Sequence, residues 1–179
     1  LGALKNTVVF VLVAVVLNIC ISTFLAVLIK SLRKKGERSF FRGWMFLPAV
    51  VPIVAVCYVW LIMFDPANGV LNQALMALGM DHPINWLNDP RTALFSIVLV
   101  TLWCDLGYNL VILMSGLDNI PNMFLEAAEI DGANSIQKFF KITLPLMSRN
   151  MLFVVIMTCI SYFQVFAQVQ IMTQGGPEN

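Results

Sequence analysis

The sequence predicts an all-α fold, a polytopic transmembrane helical bundle. Three observations predict it. Of the 179 residues, 59% are hydrophobic and 12% are charged, where soluble domains carry about 25% charged residues. Four apolar stretches of 19 to 23 residues recur along the chain, at 8–29, 46–64, 92–114 and 151–171. The loops between them differ sharply in charge. Phe (13) and Met (10) together outnumber the 11 Lys and Arg plus the 10 Asp and Glu. A soluble core could not enclose this much apolar surface, because a domain of about 150 residues buries only about 70% of its unfolded surface. A soluble enzyme and a disordered tail are thereby excluded. The net charge of +1 gives no reason to expect nucleic acid.

Each stretch is long enough to cross a bilayer, since an α-helix rising about 1.5 Å per residue needs about 20 residues. The first two stretches hold no charge, and the third holds one, Asp105. The first is too long for the apolar region of a signal peptide, and no small-residue cleavage site follows it. The chain starts on Leu1 rather than Met, as a fragment would. Pro48 and Pro52 are expected to kink or delay the start of the second span. Cys20, Cys57, Cys104 and Cys159 each sit inside an apolar run, where buried thiols pack as small hydrophobes. One histidine, His82, cannot build a metal site alone.

Loop charge sets the orientation. Lys30–Arg42 carries Lys30, Arg33, Lys34, Lys35, Arg38 and Arg42 against Glu37, whereas Asp65–Arg91 carries Asp65, Asp81 and Asp89 against Arg91. The positive-inside rule makes the first loop cytoplasmic and the second external. Both chain ends then fall outside the cytoplasm. The external loop reads as ordered: Asp65-Pro66 and Asn68-Gly69 are turn signals, and Val70–Leu78 is a short amphipathic helix. Trp86 suits the membrane interface.

The 36-residue loop 115–150 is too long to be structureless. Asn119-Ile120-Pro121 reads as a helix start, with Asn119 as cap. Asn122–Ile130 is a helix with Phe124, Leu125, Ala128 and Ile130 offering an apolar face, and Glu126 and Glu129 kept polar. Asp131-Gly132 punctuates it. Ser135–Ile142 resumes a helical pattern, and Pro145 marks the boundary before the fourth span. Periodicity alone leaves two readings open: an interfacial amphipathic helix, or a docking element for a cytoplasmic partner. The small pair Ala127-Ala128 favours docking, because it lets another surface approach closely.

Glu126-Ala127-Ala128, three residues, Gly132, nine residues, Ile142, one residue, then Leu144-Pro145 matches the EAA motif in type and spacing. On this motif the chain resembles the integral membrane subunits of binding-protein-dependent ABC importers, in the maltose-type sugar permease branch. Phe41-Arg42, Leu47-Pro48 and Pro52, then Gly69-Val70-Leu71-Asn72, then Gly175-Gly176-Pro177 extend the resemblance over nearly the whole chain. It implies one permease domain of the type I ABC importer core, multi-pass in the cytoplasmic (inner) membrane. It also implies a coupling role for Glu126, Ala127, Ala128, Gly132, Ile142, Leu144 and Pro145. The partners implied are two ATP-binding subunits, a second permease subunit and an external solute-binding protein, with membrane lipid around the chain. ATP and Mg would be bound by the partner ATPase, with no cofactor in this chain. Consistent with that, no GxxxxGK[ST] phosphate loop is present. Six or more spans per subunit are implied, so the four visible would be the middle of a longer chain.

Polar groups inside spans are costly, so their placement is a clue. Thr101, Asp105, Tyr108 and Asn109 share one face of the third span, and Thr158, Ser161, Gln164 and Gln168 one face of the fourth. Two readings stand side by side. Asp105, Tyr108, Asn109, Ser161, Gln164 and Gln168 could line a wet path for a small polar solute, with Tyr108, Tyr162, Phe163 and Phe166 available to stack on a sugar ring. Alternatively, the amides could bond neighbouring helices. Asp105 tilts toward the path, and Asn18 and Ser22 of the first span toward bonding. The resulting expectation is a permease for a sugar or related solute, such as a polyol or glycerol-phosphate-like compound. Rival readings are an ABC permease for another solute class, a non-transporting scaffold, and an ion-coupled secondary transporter. The last is expected to show inverted repeats or broken helices, and the sequence shows neither.

Overall fold

A computed structural model describes residues 2–176. Its regular elements are all helical. Pro177, the last member of the expected Gly175-Gly176-Pro177 turn, lies outside the described residues.

Helix α1 spans Gly2–Ser31. No proline and, after Gly2, no glycine interrupts its ladder. Phe10, Ala14, Asn18, Ser22, Ala26 and Ile29 recur every three or four residues and are all buried. The small side chains at Ala14, Ser22 and Ala26 let a neighbouring backbone come close. Leu12, Val16, Phe24 and Leu28 stay exposed on other sides, which suits acyl chains. Cys20 departs from the expectation for the thiols: it is exposed, whereas Cys57 and Cys104 are buried.

The second apolar stretch is not one helix. Helix α2, Lys35–Val50, and helix α3, Ile53–Met63, meet at a 93° bend. Pro52 forces the bend. Its ring excludes the helical conformation for Val51, which lies extended at φ −78°, ψ 133°. Helix α3 has 11 residues and rises only about 16 Å, against a hydrocarbon core of about 30 Å.

The external-loop helix α4 spans Val70–Ala77, close to its expected bounds. Asp65 Oδ1 accepts the amides of Ala67 (3.0 Å) and Asn68 (2.7 Å), closing the predicted turn. Asn72 organises the rest. Its amide donates to Ile84 O (2.9 Å) and Pro66 O (3.3 Å), and its Oδ1 accepts from Ile84 N (3.1 Å) and Trp86 Nε1 (3.0 Å). Trp86 is thereby tied into the loop, half-buried against Phe64. Asn72→Ala leaves the Ile84 amide unpaired, at a cost of about 1–3 kcal/mol. Hydrogen exchange at Ile84 is expected to speed by at least about fivefold. Unchanged exchange would refute this.

Helix α5, Pro90–Asp118, runs one turn beyond the expected 92–114. Asp89 caps it by accepting from Arg91 N at 2.9 Å, and Pro90 supplies the first turn. It is the central helix, packing against α1, α2 and three other helices. Helix α6 spans Asn122–Ile130, as expected. Helix α7, Ser135–Lys138, continues through a π-helical turn at Phe139–Thr143 into α8, Leu144–Leu146. The chain then bends by 71° at Met147 into α9, Ser148–Phe163. Pro145 therefore sits inside a helical start, and the boundary falls two residues later.

The fourth stretch, expected at 151–171, is also divided. Helix α9 ends at Phe163, and α10 covers Ala167–Thr173. Gln164 and Val165 donate to Ser161 O and Tyr162 O, three residues back, so the α-helical ladder closes there. No Pro or Gly stands at this break; α10 packs on α3 instead, and tertiary contact overrides the local pattern. Two breaks thus stand where no broken helix was expected, although the first realises the kink expected at Pro48 and Pro52. Among the described residues, α1 and α5 are long and apolar enough to cross a membrane, and up to four crossings result if α2 with α3, and the 135–146 segment with α9, each form one bent span.

Candidate functional site

Two regions carry the residues singled out by the sequence. The first is the 119–147 loop. Ala128 is buried and Leu125 half-buried, so α6 turns this edge toward its own chain. Glu126 and Ala127 are exposed, as are Met123 (66%) and Phe124 (45%). The Ala127-Ala128 pair is therefore split: Ala127 alone is presented outward. Ile130, at 88% exposure, takes no part in the expected apolar face.

Gly132 ends α6 in a Schellman motif. Ala133 N donates to Ala128 O (2.9 Å) and Gly132 N to Glu129 O (3.0 Å), with Gly132 at φ +78°. A Cβ added there meets nothing within 4 Å. The glycine is needed for its backbone conformation, not for space. Next comes a capping box. Asn134 Oδ1 accepts from Gln137 N (2.8 Å), and Gln137 Oε1 accepts from Asn134 N (2.9 Å). Lys138 Nζ reaches Glu129 Oε1 at 2.6 Å and ties α7 to α6. Ile142 and Leu144 are half-buried in the π-helical turn and α8, and Pro145 is exposed. Asn119 does not cap α6. It caps the end of α5 instead, and extended Pro121 precedes α6.

Both ends of this loop are rooted in one apolar cluster. Leu117 and Ile120 enter it from the α5 side, and Met147 and Val154 from the α9 side. At the same end, Asp118 Oδ1 pairs with Lys30 Nζ (2.7 Å) and its Oδ2 with Arg42 (3.1 Å). Asp118 lies beyond the apolar stretch. The Lys30 hydrogen bond, with help from Arg42, holds its carboxyl below the usual carboxylate range.

The second region is polar and lies between α5 and α9. Asp105, Tyr108, Asn109, Thr158, Ser161 and Tyr162 line a cleft of about 150 Å³. The structure thus brings together four of the six predicted path residues: Asp105, Tyr108, Asn109 and Ser161. Gln164 and Gln168 do not line it, because the break after Phe163 turns them out of the stripe. Asp105 is half-buried and makes no hydrogen bond or ion pair among the described residues. Tyr108 and Ser161 are exposed to the opening. Phe163 and Phe166, expected to stack on a ring, do not line the cleft and are 58% and 72% exposed. Thr101 is buried and donates to Ile97 O, outside the cleft.

Behind the cleft lies a network linking three helices. Asn109 Nδ2 donates to Asn18 Oδ1 (2.7 Å) and Thr158 Oγ1 (2.9 Å), and Asn18 Nδ2 donates to Tyr162 Oη (2.8 Å). All four side chains are buried. Helix-to-helix bonding, left open for Asn109, is what its amide performs. The sequence reading missed Tyr162 as a hydrogen-bond partner, although its four-residue spacing from Thr158 was available as a signal. Tyr162 also lines a second cleft, of about 380 Å³, with Asn6, Phe10, Ile97 and Val169 toward the opposite end of the bundle.

The family of binding-protein-dependent transport system inner membrane components matches residues 19–178. A relative from Bacillus subtilis (strain 168), named "Probable ABC transporter permease protein YesP", is 36% identical over 98% of this chain and 56% of its own length. The lactose transport system permease protein LacF of Rhizobium radiobacter is 37% identical over 99% of this chain and 60% of its own length. This chain therefore spans less than two thirds of these relatives. In fold it is similar to a bacterial ABC transporter involved in import of the acidic polysaccharide alginate. The TM-score is 0.87 at 23% identity, covering 96% of this chain and 60% of that one. With the match running from the middle of α1 to beyond α10, this chain belongs to the family of binding-protein-dependent transport system inner membrane components.

Proposed function

We propose that the chain is the translocating part of an ATP-driven importer for a sugar or related polar solute, such as a polyol or glycerol-phosphate-like compound. The single observation that carries this reading is the 119–147 loop. It presents Met123, Phe124, Glu126 and Ala127 outward on a short helix, while both its ends are rooted in the bundle core. Such an element passes a push on α6 into the membrane helices. In this reading the loop is cytoplasmic, and Glu126, Ala127 and Gly132 meet or shape the contact with an ATP-binding subunit. Ile142, Leu144 and Pro145 form the return limb. Two ATP-binding subunits supply the energy and hold ATP and Mg. A second permease subunit completes the path, and an external binding protein delivers the solute.

The solute class rests on the α5–α9 cleft. A carboxylate (Asp105) and two kinds of hydroxyl (Ser161, Tyr108) converge there, backed by the bonded Asn109 amide. Sugar hydroxyls both donate and accept, and they match such a mixed set. The Tyr108 ring offers an apolar face for C–H contact. The family relatives named for lactose and the alginate transporter fit the same solute class.

The test is reconstitution of the complete subunit with its ATPase in proteoliposomes. Gly132→Val is expected to lower ATP-dependent uptake at least about tenfold, because Cβ-bearing residues resist the left-handed conformation. Gly132→Asn, which tolerates that conformation, is expected to retain most uptake. Glu126→Ala is expected to weaken ATPase co-purification. Uptake that persists without ATP, driven by an ion gradient, would overturn the reading. That outcome would favour an ion-coupled transporter, which the breaks at Val51–Pro52 and 164–166 also suit.

A further inference from the structure

The last residue of α5 is an acid, at the helix end whose exposed carbonyls already carry negative partial charge. An aspartate there opposes the helix dipole, so its placement needs a compensating interaction. Asp118 finds two. Lys30 of α1 meets one carboxylate oxygen at 2.7 Å, and Arg42 of α2 meets the other at 3.1 Å. Lys30 Nζ also donates to Leu117 O at 3.1 Å, capping the same helix end. One carboxylate thus joins three helices, four residues before α6 begins.

The neighbouring geometry gives this junction a mechanical meaning. Helix α6 touches its own chain along Leu125 and Ala128 and through the Glu129–Lys138 pair. One path from α6 into the bundle passes through the end of α5, and the other through α7 and α8 to Met147. Helix α2, held there by Arg42, is the arm that bends by 93° into α3.

We propose that Asp118 is a positioning residue, a clasp that carries displacement of α6 to α1 and α2. The proposal rests on the functional reading above, in which an ATPase moves α6. With the clasp intact, a shift of the α5 end pulls both basic partners with it. Without it, α2 is held to α5 by the packing around Gly107 and Met45 alone, and the Arg42 end of α2 follows the α5 end less closely. The clasp governs coupling, not assembly, since Glu126 and Ala127 lie on a different surface.

The test uses the complete subunit in its complex. Asp118→Ala and the milder Arg42→Gln are compared with Asp118→Glu. The ATPase subunits are expected to co-purify and hydrolyse ATP with both cut variants. Solute moved per ATP is expected to fall about tenfold for Asp118→Ala and severalfold for Arg42→Gln, and to recover with Asp118→Glu. A merely structural role would lower transport and hydrolysis together and leave their ratio intact, and that result would overturn the clasp. A second measurement needs no ATPase. Spin labels at Phe40 and Met123, with every native cysteine of the subunit replaced by alanine, report the α2–α6 distance. Asp118→Ala is expected to broaden that distribution, and an unchanged one would overturn the clasp. If the wild-type complex binds no ATPase, the functional reading fails, and the label distances alone judge the clasp.

Discussion

Gly107→Ala is expected to force α2 away from α5 and to lower the thermal stability of the complete subunit by about 2–12 °C. A Cβ at Gly107 would overlap the Met45 carbonyl and lie 2.8 Å from Phe46 Cα. The obstruction is backbone, so no side-chain rotation relieves it. Overpacking of this kind costs about 1–3 kcal/mol, and a domain of about 150–250 residues loses about 2–4 °C per kcal/mol. Gly107→Val adds two methyl groups at the same contact and is expected to prevent stable folding. Gly43→Ala is the control: it lies on the same α2, and its Cβ meets nothing within 4 Å. Thermal unfolding in detergent checks all three. Equal melting of Gly107→Ala and Gly43→Ala would refute the close approach of the two backbones.

Asn109→Leu is expected to destabilise the bundle by about 1–3 kcal/mol, because it strands Asn18 Oδ1 and Thr158 Oγ1 without their donor. Interhelical hydrogen bonds in membranes average about 0.6 kcal/mol and reach about 1.7. The larger figure here reflects two bonds lost together at a site with 3% exposure. Asn18→Leu strands the Asn109 amide and removes the bond to Tyr162. The two changes share a bond, so the double variant should be more stable than additivity allows, by about 1 kcal/mol. A double-mutant cycle on unfolding reads this coupling directly. Strict additivity would show that the network contributes nothing as a unit.

How far the site was legible varies residue by residue. The bounds of α6 were legible because Pro121 and Gly132 punctuate both ends with strong local chemistry. The outward position of Ala127 and the burial of Ala128 were not, because adjacent residues differ by about 100° around a helix and only the neighbouring chain selects a side. Asn119 shows the same limit. An asparagine before a helix reads as its cap, yet α5 ran one turn longer and took Asn119 for its own end. The Asp105 stripe was legible as a face. Whether that face met water or a neighbour differed along its length: Asn109 bonds Asn18 and Thr158, while Asp105 opens to the cleft.

The broken helices divide along the same line. Pro52 announces the α2–α3 break, because its missing N–H and its ring act on the residues beside it. Nothing local announces the break at 164–166, where α10 leaves the axis of α9 to pack on α3. By itself, then, the sequence determined the membrane habit, the helical class, the basic and acidic ends and the turn chemistry of the 119–147 loop. Each of these depends on composition or on residues within one or two turns. Only the tertiary structure decided which polar side chains face a cleft, which bond one another, and where Gly107 and Asp118 bring distant helices together. Those outcomes depend on pairs such as Asn18 and Tyr162 that lie 144 residues apart, and no local pattern reports such a distance.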